Sequence, residues 1–173
     1  AINYSKDSVR ALNFFSDVDI KEIRTDYPDK LDLEIAVEEK NTGEASLGAG
    51  YSSANSTSLN LGIKETNFLG NGQKLNFTTS FSNTKNTYDI SFTEPYFNNK
   101  QLALTGSLYS DITDPGSVNY ETEDIGLGFK IEFPLSVNTY LSARYSLFTS
   151  KIKADTNATA YERLLSGTET VST

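Results

Sequence analysis

Glu44-Ala-Ser-Leu-Gly-Ala-Gly-Tyr51 puts Ala45, Leu47, Ala49 and Tyr51 on one side and Glu44, Ser46, Gly48 and Gly50 on the other. Side chains of a β-strand alternate between faces, so the stretch predicts a strand over 44–52 with one greasy wall and one small, polar wall. Six further stretches repeat the pattern. They are 57–66 (Leu59, Leu61, Ile63 against Asn60, Gly62, Lys64), 73–82 (Leu75, Phe77, Phe81 against Asn76, Thr78, Ser80), 86–94, 100–110, 120–133 and 139–148. Each is about the length a tilted strand needs to cross a bilayer.

A soluble β-sandwich also alternates. Two features favour a barrel in a membrane. Lys64, Asp89, Lys130, Glu132 and Arg144 stand among Gly, Ser and Thr on the polar wall, which suits a wet lumen. The other wall is large and nearly uninterrupted, with Tyr51, Tyr88, Tyr96, Phe97, Tyr120, Phe133 and Tyr140 near strand ends, where barrels carry interfacial girdles.

Composition narrows the chemistry. The 173 residues include no Cys, His, Trp or Met. Without His or Cys, nucleophile systems built on a histidine base or a thiolate are excluded, and so are thiolate zinc sites. A net charge of −8 argues against a nucleic-acid partner, which calls for a basic stripe. No window approaches the run of about 20 apolar residues of a transmembrane helix, a test that barrel strands do not face. With no initiator Met, the chain is expected to be processed or part of something longer, any export signal lying outside it.

Charge divides the chain. Residues 1–43 hold 16 of its 38 charged residues, and the turn-type cluster Asn41-Thr42-Gly43 marks the expected boundary between domains 1–42 and 43–173. In the first, a helix is expected over 3–13, capped by Asn3 or Ser5 and ended by Asn13. Phe14-Phe15 follows as a buried hinge. The alternating stretches 18–24 and 31–38 then form a hairpin through Tyr27-Pro28-Asp29-Lys30. That is too little to bury a core, so a strand and a helix are expected before Ala1. Residues 149–173, rich in Thr, Ser and Ala, predict a long extracellular loop.

Five segments are recognisable in order. Leu12-Asn-Phe-Phe15, Val37-Glu-Glu-Lys-Asn-Thr-Gly43 and Gly48-Ala-Gly-Tyr51 resemble the last POTRA domain running into the first barrel strand of the BamA family of outer-membrane protein assembly factors. Thr66-Asn-Phe-Leu-Gly-Asn-Gly-Gln73 and Phe92-Thr-Glu-Pro-Tyr-Phe97 resemble that family's first two periplasmic turns. TamA and the organelle import and two-partner secretion barrels share the architecture. The resemblance implies a mainly β chain: a partial α+β POTRA domain, then antiparallel strands one to seven of a sixteen-stranded transmembrane β-barrel. It also implies a place in the outer membrane with the amino-terminal part periplasmic, and insertion of other β-barrels as the function, without cofactor. The implied partners are client barrel proteins, accessory assembly lipoproteins and the lipid bilayer.

In that family strand one meets the last strand at a weak seam. The resemblance therefore points to Ala45, Ser46, Leu47, Gly48, Ala49, Gly50, Tyr51 and Ser52 as a lateral gate whose edge templates an incoming strand, with Gly48 and Gly50 weakening the pairing. Glycine on a barrel's inner wall also has the plain reading of close packing. Leu31, Leu33, Ile35 and Val37 form a second candidate edge, or simply pair within their own sheet. An enzyme would have to use carboxylates such as Glu121, Glu123 and Asp124, which read better as a solvated rim. Asp111, Asp114 and Glu121 lack the spacing of a calcium loop. Asn55-Ser-Thr57, Asn76-Phe-Thr78 and Asn157-Ala-Thr159 match the glycosylation triplet, which is short enough to arise by chance. A plain pore or adhesin barrel would usually begin directly with a strand, unlike this chain.

Overall fold

The computed structural model describes residues 2–25, 30–52, 56–136 and 139–172. The chain separates into two compact units, Ala1–Thr42 and Gly43–Thr173.

In the first unit, helix α1 (Ile2–Ala11) precedes strands β1 (Phe15–Arg24) and β2 (Leu31–Glu39), which pair antiparallel. The helix runs through both Asn3 and Ser5, so neither caps it. It unwinds where expected. The amides of Leu12 and Asn13 donate to the carbonyls of Val9 and Arg10, and Asn13 takes φ 61, which a short polar side chain tolerates. Lys40 then closes the unit, its amide donating to the Phe14 carbonyl at 3.0 Å and its Nζ to Asn13 Oδ1 at 2.6 Å. Lys6–Asp19 and Arg10–Asp17 ion pairs join α1 to β1 (3.4 and 3.5 Å), the first partly buried and the second an exposed contact that contributes little. Val18 is fully buried. Phe14 and Phe15 meet edge to face at 6.4 Å but are only partly buried, and Phe15 already belongs to β1 rather than to a hinge. The expected turn at Tyr27–Asp29 lies outside the described residues.

The second unit is one antiparallel sheet of eight strands in sequential order. These are β3 (Gly43–Ser52), β4 (Ser56–Phe68), β5 (Gln73–Ser82), β6 (Lys85–Glu94), β7 (Ala103–Thr113), β8 (Tyr120–Ser136), β9 (Thr139–Ala154) and β10 (Gly167–Ser172). A short helix, α2 (Ala160–Leu165), joins the last two. Residues 149–173 are therefore not a loop throughout. β9 continues to Ala154, and β10 returns along it from Gly167↔Ile152 to Ser172↔Leu147. The expected strand 100–110 is displaced too, because Phe97–Asn99 forms a 3-10 turn with Asn98 and Asn99 at φ 55 and 57, delaying β7 to Ala103.

Register gives the sheet its two walls. One rung runs Ala45–Ile63–Phe77–Ile90–Leu108–Leu127–Leu147, each residue directly opposite the next. The neighbouring rung on the other wall runs Glu44–Lys64–Asn76–Ser91–Ser107–Gly128–Ser146. The aromatic ends are less uniform than expected. Tyr51 and Phe133 share the apolar register, whereas Tyr120 (opposite Ala154) and Tyr140 (opposite Pro134) fall in the register of the polar wall.

Candidate functional site

Fully burying a Leu, Ile or Phe side chain contributes about 1.5–3 kcal/mol. Little of that is collected inside this sheet. Leu47 is 72% exposed, Ile63 58% and Leu108 59%, and the buried apolar side chains among the described residues are Val18 and Ala158. A wall of this size belongs against hydrocarbon. Its one buried hydroxyl, Thr79, donates back to the Thr87 carbonyl at 2.9 Å, so the wall keeps no orphan there.

The polar wall is crowded and charged. Asn76, Asp89, Ser107, Tyr109, Lys130 and Arg144 line a concavity of about 360 Å³. Lys130 binds Glu132 at 2.6 Å, and Lys85 binds Asp111 at 3.1 Å. Glycines make room on this wall. A Cβ at Gly62 would meet the Ser46 hydroxyl, at Gly128 the Ser107 hydroxyl, and at Gly126 the Tyr109 ring lying across it.

Among the described residues β3 and β10 end the sheet, and β3 pairs with β4. Its register with β4 is unbroken from Gly43↔Glu65 to Ser52↔Ser56, so Ala45, Ser46, Leu47, Gly48, Ala49, Gly50 and Tyr51 all lie on that edge. Gly48 and Gly50 differ from the crowded glycines. The nearest atom to a Cβ at Gly48 is Asn60 Cβ at 4.0 Å, ordinary contact, and at Gly50 it is Ser58 Oγ at 3.3 Å. Packing within the sheet does not explain Gly48.

In β2, Leu31, Leu33, Ile35 and Val37 share one face and are each about half exposed. Opposite them on β1 stand Arg24, Glu22, Ile20 and Val18. Among the described residues the strand has β1 as its one sheet neighbour.

The carboxylates do not assemble a reaction centre. Glu121 and Glu123 lie at the start of β8, and both bind Lys153 of β9 (3.4 and 2.6 Å). Asp124 points to the opposite wall, beside Asp111. Asp114 accepts the Gly116 amide in its own turn at 3.1 Å, well separated in role from Asp111 and Glu121.

One arrangement was missed by strand periodicity although its signal is present. Thr159-Ala-Tyr-Glu162 is a capping box. Glu162 accepts the Thr159 amide at 2.7 Å and the Asn119 amide at 3.2 Å, tying the β7–β8 loop to α2. The Thr159 and Asn119 amides, with the Thr159 hydroxyl, hold the Glu162 carboxyl down to about 2.

A sequential antiparallel sheet with one hydrocarbon-facing wall and one wet wall defines the class of outer-membrane β-barrel proteins. Residues 67–172 match the model of the Omp85 superfamily domain, and the chain belongs to that superfamily. It is 27% identical over 158 residues to the outer membrane protein assembly factor BamA of Neisseria meningitidis, covering 88% of this chain and 20% of that protein. With BamA of Nitratidesulfovibrio vulgaris the identity is 30% over 138 residues, covering 79% and 17%. The chain thus spans about a fifth of the length of these relatives. A crystal structure of Haemophilus ducreyi BamA lacking POTRA domains 1–3 superposes with a TM-score of 0.80 at 22% identity, covering 99% of this chain and 35% of that one. That likeness carries the fold. With these relatives the chain is placed in the outer membrane.

Proposed function

We propose that this chain serves the assembly and insertion of β-barrel proteins into the outer membrane, by backbone templating rather than covalent chemistry. Residues 1–42 are the end of a periplasmic POTRA domain, and β3 to β9 are barrel strands one to seven. β3 is the gate strand. Client barrel proteins and the bilayer are its partners, with accessory lipoproteins docking on the periplasmic side.

The observation that carries the reading is Gly48 of β3: a Cβ there would meet Asn60 Cβ at 4.0 Å and nothing nearer, so packing against β4 does not call for glycine. Such a glycine weakens the strand's own pairing and lets another backbone approach. Strand addition along β3 would then supply affinity through main-chain hydrogen bonds.

The test is crosslinking in the intact protein from photoreactive residues at Leu47 and Ala49 to a client barrel during assembly. Adducts are expected at both, and clients that never contact either position refute the gate. Gly48→Val, which favours strand pairing, is expected to leave heat-modifiable mobility unchanged and slow client assembly. Depletion of the protein should stop other barrels from assembling, whereas loss of a mere pore would leave them untouched.

A further inference from the structure

The apolar wall has a hole. One rung runs Leu75–Phe92–Gly106–Phe129–Tyr145, and Gly106 is its one residue without a side chain. Leu104 and Leu108 flank it along β7 on the same wall. A Cβ at Gly106 would meet nothing within 4 Å, unlike those at Gly62, Gly126 and Gly128 on the polar wall. The result is a groove of about 570 Å³ walled by Phe92, Leu104 and Phe129 and closed at one end by Tyr96, Phe97 and Asn98 of the 95–99 turn together with Glu94, whose carboxylate is engaged by Gln73 Nε2 and the Tyr96 amide. Phe92 is held as a wall, since Phe68 packs edge to face against it at 6.3 Å.

We propose that this groove seats one acyl chain of a glycerophospholipid. The claim rests on the outer-membrane reading proposed above, with the 95–99 turn on the periplasmic side as the family resemblance implies, and takes the leaflet on that side to be phospholipid. The groove is continuous with the hydrocarbon-facing wall, so its solvent is lipid. An unfilled slot beside two phenyl rings forfeits dispersion contacts on one side, and a flexible chain from the surrounding leaflet restores them. The turn end supplies the polar complement. Asn98 and Asn99 are exposed and line the same groove, where the glycerol and headgroup of a lipid seated there would lie. The volume suits a ligand of this size, as small-molecule sites run to roughly 300–1,000 Å³.

The experiment is native mass spectrometry of the intact outer-membrane protein after detergent exchange, scoring retained lipid. The wild type and Gly106→Ala are expected to keep one glycerophospholipid per polypeptide. Gly106→Phe, which fills the slot, is expected to lower that occupancy about tenfold. Leu108→Phe, a similar enlargement beside the groove, is expected to retain it. Gly106→Leu stands in if heat-modifiable mobility shows that Gly106→Phe has not closed. Equal retention in wild type and the filled variants overturns the proposal. So does a wild type that carries no lipid, or one carrying a lipid A-type molecule, a second copy or another protein in its place. Client assembly followed in the same variants separates this claim from the gate, since lipid retention and assembly fail independently.

Discussion

At Gly126 a single hydrogen is a structural requirement. The residue is buried opposite Tyr109 on the polar wall, and a Cβ there would clash with the hydroxyl end of the tyrosine ring. An aromatic laid across a glycine seals a weak point in the strand, because glycine alone leaves the backbone uncovered. Gly126→Val must displace the ring, and overpacking of this kind costs about 1–3 kcal/mol. The expected result is a lower midpoint of heat-modifiable gel mobility for the intact protein. With Tyr109→Ala already present, the same valine has nothing to strike and is expected to cost much less. Additive losses in the double variant would show that the two residues do not interact.

Among the elements, α2 depends on one carboxylate. Glu162 sits at about 2 against an ordinary 4.5, because it accepts the Thr159 and Asn119 amides and the Thr159 hydroxyl. A depressed value means these bonds stabilise the loop fully above pH 4.5 and are lost as pH falls from there through about 2. The Glu162 carboxyl carbon is therefore expected to titrate by NMR near 2, and Thr159→Ala to move the midpoint back toward 4.5. A wild-type midpoint at the ordinary value would show that the cap does not form. This element also marks where the sequence stops being legible. The seven alternating strands announce themselves because their two walls face different solvents, as the Ile90 and Ser91 rungs do. Beyond the Ile125–Thr149 pair the outward side chains become Glu123, Lys151, Glu121 and Lys153, and β10 is largely Thr, Glu and Ser. Strands with polar residues on both walls have no period to find, so 149–154 and 167–172 resemble a loop on paper. β3 was legible as a strand, while its register with β4 depends on pairing, which alternation does not encode. Gly106 was invisible for a related reason: a hole exists only relative to Phe92 and Phe129 on adjacent strands.

For the whole second unit, two rungs one residue apart are asked to live in different media. Leu108 belongs to the central apolar rung and is 59% exposed; Ser107, its chain neighbour, faces the opposite wall between Ser91 and Gly128. A lysine on the lipid face near the bilayer midplane costs about 2–4 kcal/mol, whereas on a wet wall it keeps its hydration. Leu108→Lys is expected to cut folding of the intact protein into phospholipid vesicles by that amount. Ser107→Lys, crowded but hydrated beside Lys130, is expected to cost under about 1 kcal/mol. In a soluble sandwich Leu108 would instead sit on a core, and the unaltered protein would fold without lipid. Equal penalties for the two lysines, or folding that ignores the vesicles, would remove the reason for one wall of seven strands to be greasy.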